Sequence, residues 1–390
     1  MRVKPAHMTG SIARTLLALT FLFSGFVKAV DPLGTVYKIE DYLSEGFGGF
    51  LHWAEPLAGT LAVLLIATEL LLGVTMLFNV RSRWTSWITL AFYLVMTPVT
   101  LYIAIANPVT DCGCFGDALV ISNWATFGKN VVLLALAIVF VLCRKSIPQL
   151  FNWWAELGIA LIALGLTAGI MGYSYTHLPL IDFRPYKVGN NIRELMENGE
   201  RAVYETYCLY ENEQTGEQKE FIWKDKPAAE DSIWTFVSQK TLLVKAGKEP
   251  TITDFRLEVI MEDADVDEMD ESQSERYIYL DEDITEDILS SKDPVTLIVM
   301  YDVTKRNRKQ AVQAVQMIKD LQDKGEQAYI LTGSGENDLF EFADEMDLDI
   351  NSGAYLYMDM TPIKTIIRAN PGLVVIQDGV VIKKQNFKQL

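Results

Sequence analysis

Five apolar stretches, each near the ~20 residues that a helix needs to cross a bilayer core, crowd into the first 175 positions of this 390-residue chain. They cover residues 12–30, 56–79, 84–107, 124–143 and 155–173. The first reads as a span and not as a cleavable leader. It lacks a small-residue cleavage site, and "SGFVKAVDPLG" runs on toward further apolar stretches. A polytopic membrane half is therefore expected, with the lipid bilayer as its first partner. The charged residues gather in the remainder of the chain, which predicts a water-exposed second half.

Loop charges set the expected orientation. Arg2, Lys4 and Arg14 precede or open the first stretch, Arg81 and Arg83 separate the second from the third, and Arg144 and Lys145 the fourth from the fifth. Loops of the other parity carry Asp31, Glu40, Asp41, Glu45, Glu55, Asp111 and Asp117. The positive-inside rule then predicts a cytoplasmic N-terminus and, after five crossings, an extracytoplasmic C-terminal half. In a bacterial cell this is an inner-membrane protein facing the periplasm. The net charge of −17 excludes nucleic acid as a partner, because such a surface repels phosphate.

Four cysteines are present, Cys112, Cys114, Cys143 and Cys208. The expected topology puts Cys112 and Cys114 in an outer loop, "NPVTDCGCFGDALVISNW", Cys208 in the outer half, and Cys143 at the cytoplasmic end of the fourth span. Cysteines one residue apart close a disulfide only as a tight ring, for which Gly113 supplies a permissive backbone. Strained, exposed bridges are the labile ones, and so small a ring cross-links almost nothing. Thiol–disulfide exchange is the chemistry this favours. A structural loop is the bland alternative, and a metal half-site completed by His52 or His177 is a third. Asp111 and Asp117 flank the pair and disfavour a thiolate, whereas Lys129 offsets them.

Two charges sit in or near the spans. Glu69, mid-span in "LLIATELLLG", is a candidate proton relay, or else a protonated group bonded to a neighbouring helix. Lys28 is expected to snorkel to the interface or to pair with Asp31. Cys208, on the first strand of an expected hairpin around "QTGE", reads as a buried thiol, with a resolving role for the loop pair as the sharper alternative.

"LFSGFVKAVDPLGTVYKIEDYL" followed by "NPVTDCGCFGDALVISNWATFGKN" resembles the DoxX-like and MauE-like membrane proteins, the methylamine-utilisation MauE branch in particular, over about residues 10 to 145. The resemblance implies a four-helix core, a redox-associated role, and a redox function for Cys112 and Cys114. It also implies work beside a thioredoxin-like partner in forming disulfides in an exported protein. The fifth span and the long outer half go beyond that family.

In the outer half, residues 181–285 read as a linker region with a β-hairpin and an acidic loop, in which "TLLVKAG" and "ITDFRLEVI" are further strand candidates. Eight of the fourteen residues from Glu262 to Glu275 are acidic, and a solvated loop is expected there. From Pro294 onward the pattern sharpens into strand, helix, strand, helix, strand, short helix and a closing hairpin that turns at Asp378-Gly379. With Pro371 before that hairpin as a cis-proline, residues 286–390 resemble a thioredoxin-like domain. The position of the usual Cys-x-x-Cys reads "YDVTKRNRK", so this domain carries no exchange thiols and is expected to dock a partner.

The expected architecture is thus an α-helical membrane bundle followed by an α+β, thioredoxin-like α/β extracytoplasmic domain. Its segments are a four-helix core (1–145), a fifth helix with its exit (146–180), a linker region (181–285) and the degenerate thioredoxin-like domain (286–390). The expected function is thiol–disulfide exchange with an exported or periplasmic thiol protein, with a membrane quinone as the candidate cofactor and no metal. A non-enzymatic membrane scaffold is the alternative.

Overall fold

The structure, a computed structural model, describes residues 5–44, 46–109, 112–225, 233–265 and 275–389. Arg2, Lys4, Glu45, Asp111 and most of the acidic segment (266–274) lie outside the described residues.

The first half is helical: α1 (Pro5–Val30), α2 (Pro32–Ser44), α3 (Ala58–Leu77), α4 (Ser82–Ala106), α5 (Asn123–Cys143) and α6 (Trp153–Thr176). Five helical segments, Pro5–Val30, His52–Leu77, Ser82–Ala106, Asn123–Ser146 and Trp153–Thr176, are long and apolar enough to cross a membrane. They fall where the apolar stretches predict them. Their ends follow local chemistry. Ser122 and Asn152 cap α5 and α6 by accepting from the backbone N–H of Ala125 and Ala155, and Asn107 closes α4 in the left-handed conformation. Helix α2 had no counterpart among the expected spans. It is amphipathic, and Val36 and Leu43 bury against Ala54, Ala58 and Ala62 at the start of the second span.

Two glycines decide how α1 and α3 meet. A Cβ on Gly25 would lie 3.0 Å from the backbone N of Leu70, and one on Gly73 would lie 2.9 Å from that of Leu22. Only glycine permits so close an approach. Lys28 lies one helical turn beyond Gly25 and Glu69 one turn before Gly73, so this crossing brings the two charged side chains together.

The second half opens with α7 (Ile192–Glu197) and a three-stranded antiparallel sheet of β1 (Val203–Asn212), β2 (Gln218–Ile222) and β3 (Trp234–Lys245), in the order β2-β1-β3. The expected hairpin is present, and "TLLVK" ends β3. The remaining strands, β4 (Glu258–Asp265), β5 (Glu275–Asp283), β6 (Val295–Val299), β7 (Ala328–Thr332), β8 (Tyr355–Tyr357), β9 (Gly372–Gln377) and β10 (Val380–Asn386), form one mixed sheet in the order β10-β9-β6-β7-β8-β4-β5. Helices α8 (Thr285–Ser290), α9 (Arg308–Gln322), α10 (Glu336–Met346) and α11 (Met360–Ile366) connect its strands. Strand β6 runs parallel to β7 and antiparallel to β9. Every residue of β6 is buried, the pattern of a strand covered on both faces.

This corrects the reading of 181–285 as a linker. Strands β4 and β5 extend the same sheet, and Tyr186, Ile192, Ile252, Phe255 and Leu257 share one apolar core with β6 and β9. The acidic stretch is not wholly a loop, since both its ends are strand residues. Asp182 joins the exit of α6 to β10, 2.7 Å from Arg184 and 2.6 Å from Lys384. The Asn370–Pro371 bond is cis, as expected from the sequence.

Candidate functional site

Cys112 and Cys114 lie between α4 and α5, in a loop that folds back against the C-terminal end of α1, where α1 crosses the middle of α3. Gly113 and Gly116 both take positive φ (63° and 51°), which turns the chain tightly enough to point both sulfurs to one side. The two sulfurs are 2.7 Å apart, and both thiols are free. Cys112 is buried and Cys114 half-buried.

Beneath the loop lies the charged crossing. The Lys28 ammonium donates to both carboxylate oxygens of Glu69 at 2.9 Å, to Ser24 Oγ at 2.6 Å and to the Cys114 carbonyl at 2.8 Å. The Ser24 hydroxyl lies 2.8 Å from Glu69 Oε2 and 2.7 Å from the Cys114 carbonyl. Lys28 and Glu69 are both buried. The expectation that Lys28 snorkels or meets Asp31 is therefore corrected. It is the partner of Glu69, and the two form an ion pair whose hydrogen bonds reach the backbone of the cysteine loop. The signal was present in Gly25 and Gly73, but their meaning needs the helix pairing.

Above the loop sits the second half of the chain. Arg368, after α11, is buried, lies 3.0 Å from Asp31 and 3.4 Å from Asp117, and stacks over the Tyr37 ring. Asp31 thus spends its charge on a residue 337 positions away. Burial pushes the Asp31 carboxyl up, but the charges of Arg368 and Arg184 and the N–H of Gly34 more than reverse this and leave it below its ordinary value. The Tyr37 hydroxyl donates to that of Tyr301 at 3.0 Å. Tyr301 opens the "YDVTKRNRK" segment, so the segment expected to dock a partner meets the chain's own α2 at Tyr37.

The thiols are not equivalent. The hydrogen bond with Cys112, helped by the Lys129 and Lys28 charges, outweighs burial and the Glu69 charge and holds Cys114 down to about 6. The same hydrogen bond, with burial, pushes the Cys112 thiol well above the usual range. Of the flanking acids that disfavour a thiolate, Asp117 is met by Arg368, and Asp111 lies outside the described residues. This arrangement can supply one attacking thiolate beside one protonated, resolving thiol.

Between the two halves lies a cavity of about 520 Å³ that both cysteines line, together with Glu69, Lys28, Arg368 and Lys129. Phe21, Phe92 and Tyr93, in mutual edge contact, form its bundle wall. The structure does not bring Cys208 here. Cys208 is buried in the β1–β2–β3 sheet, opposite Phe221 and Gln239, away from the cavity lining, which argues against a resolving role. Cys143 packs at the opposite end of the bundle, near Gly10 of α1. His52 pairs with Glu55 and His177 stacks on Tyr173, so neither completes a metal site with the pair. No group of three or more candidate metal ligands gathers among the described residues.

Residues 6–143 match the family model of the methylamine utilisation protein MauE. The match spans α1 to α5 and contains Lys28, Glu69 and both loop cysteines, and so supports a redox-associated membrane function for this half. No curated protein and no solved structure matches the chain.

Proposed function

We propose that the protein is a membrane thiol–disulfide oxidoreductase in which Cys112 and Cys114 cycle between dithiol and disulfide against an exported thiol protein. The observation that carries this is the pair of free thiols, 2.7 Å apart at a cavity wall, with the Cys114 carbonyl held by a buried ion-pair network. In one direction the Cys114 thiolate attacks a partner disulfide, a mixed disulfide forms, and one partner sulfur leaves as thiolate. The Cys112 thiol then attacks Cys114, closing the ring and releasing the second partner sulfur, which takes the Cys112 proton. The reverse sequence delivers a disulfide to the partner. Electrons and protons balance in both directions.

In this reading the cysteine loop and the C-terminal half face the periplasm and the N-terminus the cytoplasm. The basic loops support that orientation. Arg81 and Glu156 pair 3.0 Å apart, and Asn79 donates to the Pro148 carbonyl, which joins those loops at the end of the bundle away from the cysteines. A membrane quinone is the proposed electron acceptor. The aromatic wall of the cavity fits a flat ring, and such a group would reoxidise the dithiol left after a disulfide has been delivered to the partner, taking up its two electrons and protons. Glu69 and Lys28 are the proposed positioning and proton-linked residues.

The outer half is read as thioredoxin-like from its β6–α9–β7 parallel unit, with the β9–β10 hairpin on the far side of β6. Its loop face, however, is occupied by its own membrane half through Tyr301 and Arg368. We therefore assign it the role of a cap on the cysteine loop, not that of a free docking module.

The test is acid-quenched thiol trapping in intact cells with a bulky maleimide, comparing the wild type with Cys112→Ser, Cys114→Ser and Cys143→Ser. The expected result is a partly oxidised pair and a mixed disulfide with another protein that accumulates in Cys112→Ser, which keeps the attacking thiol. Thiols that stay fully reduced or fully oxidised, with no adduct in any variant, would replace exchange by the scaffold reading. With purified protein, alkylation of Cys114 should rise through about pH 6 and level off above it, because only the thiolate reacts.

A further inference from the structure

The cavity beside the cysteines differs in charge from the rest of the protein. The chain carries a net −17, yet six cationic residues, Lys28, Lys38, Lys129, Arg184, Lys364 and Arg368, line this space. Four carboxylate residues, Asp31, Asp41, Glu69 and Asp117, face them. Among the described residues Lys28 is matched by Glu69, and Arg368 by Asp31 and Asp117. Among the described residues Lys129 and Lys364 form no such salt bridge, although Lys364 also feels the charge of Glu40. The Lys129 ammonium sits 4.2 Å from the centre of the Phe115 ring, and that of Lys364 sits 4.8 Å from the centre of the Tyr37 ring. A ring face positions a cation but leaves its charge in place. Both lysines are half-buried, so that charge is weakly screened and directed into the cavity.

Shape limits the occupant further. Cys112 is buried and Cys114 half-buried under a cap that Arg368 and Tyr301 hold to the bundle. Sulfurs placed in that way are open to a small molecule, and to a partner protein only through a narrow extended segment. The volume of about 520 Å³ is that of a small-ligand site.

We infer that this cavity is a recognition site for a small anionic thiol or disulfide, with Lys129 and Lys364 binding its carboxylates while its sulfur meets Cys114. This rests on the exchange reading above and deepens it by naming the substrate class. The step balances without a further reactant. The Cys114 thiolate attacks the small disulfide, one small thiolate leaves, the Cys112 thiol closes the ring, and the second small thiol departs with the Cys112 proton.

The test uses the full chain in phosphatidylcholine nanodiscs with the pair reduced. Three disulfides are compared: oxidised glutathione (anionic), hydroxyethyl disulfide (neutral) and cystamine (cationic). Each rate is divided by the same disulfide's rate with a free Cys-Gly-Cys peptide, which removes intrinsic reactivity. The expected result is a normalised preference of about tenfold or more for the anionic over the cationic probe at low salt. It should shrink at least about threefold in Lys129→Gln and in Lys364→Gln, and return with arginine at either position. It should also shrink in the unchanged protein at about 0.5 M salt, a readout that no folding defect in a variant can mimic. Equal or cation-favouring rates would overturn the inference while leaving exchange itself intact. If none of the probes oxidises the pair, the inference falls too, and the trapping experiment in cells then decides separately whether the pair exchanges with proteins.

Discussion

The cysteine loop is held from two sides, and the two grips differ in kind. Below it, Lys28 and Glu69 form a buried pair inside the helix bundle, and their hydrogen bonds run into the Cys114 carbonyl. Above it, Arg368 reaches down from the second half of the chain to Asp31 and Asp117, at the rim of the bundle. The lower grip joins two helices that pack through glycines, and both of its charged groups are buried. The upper grip joins two separately patterned halves of the chain, and Asp117 is itself exposed. The first fixes where the loop lies. The second fixes what covers it.

If that contrast holds, breaking the lower pair is the most damaging change available. Lys28→Met leaves the Glu69 carboxylate buried without its opposite charge, with only the Ser24 hydroxyl beside it, and Glu69→Leu leaves the ammonium with neutral partners alone. Each should cost on the order of 3–5 kcal/mol of stability, because an uncompensated buried charge remains. The double variant should recover much of that loss, since it leaves no charge behind. Thermal unfolding in detergent across the four-member cycle measures this. Single variants within about 1 kcal/mol of the wild type would mean the pair is wet, and the contrast between the grips would disappear.

The upper grip should fail differently. Arg368→Gln strands Asp31 and should weaken docking of the cap by about 2–5 kcal/mol, the range for one partner of a buried, hydrogen-bonded charge pair. Unfolding of the bundle should hardly move. The readout is the rate of maleimide attachment to Cys114, which rises when the cap lifts. Asp117→Asn, at 3.4 Å and exposed, should have a much smaller effect. If Arg368→Gln instead melted the bundle as a whole, the two grips would be one cooperative unit. The link with pH has a definite sign. Asp31 is held below its ordinary value, so its contribution to docking is present above the unfolded carboxylate range and is lost as pH falls through the lower, folded value.

The two halves also differ in what the sequence discloses. Hydropathy alone places the five spans, because the length of an apolar run is a property of consecutive residues. Periodicity and turn residues place β6 through β10, with Asp378-Gly379 closing the last hairpin. What stays hidden is pairing at a distance. Nothing near Glu69 in the chain announces Lys28, 41 positions before it, and nothing near Asp31 announces Arg368. The same blindness turned β4 and β5 into a linker, since their acidic, weakly alternating residues join the sheet only through the pairing of β4 with β8 and of β5 with β4. The thiols of the candidate site were legible in "DCGCFGD". The charges that tune them were legible as residues and misread as pairs, Lys28 most of all.

The mildest probe of the upper grip is the contact between Tyr37 and Tyr301. Their hydroxyls bond at 3.0 Å and their rings meet edge to face. Tyr37→Phe keeps the ring, and with it the surface on which Lys364 and Arg368 rest, and removes only the donated hydrogen bond. The expected cost is about 0.5–1.5 kcal/mol of docking, the net value of one such bond, because Tyr301 keeps a hydroxyl that can turn to water. Cys114 labelling should therefore quicken severalfold, well short of the change in Arg368→Gln. A Tyr37→Phe effect as large as that of Arg368→Gln would shift the weight of the upper grip from the salt bridge to the tyrosines. The "YDVTKRNRK" segment, having no thiol, would then be the main clamp of the cap.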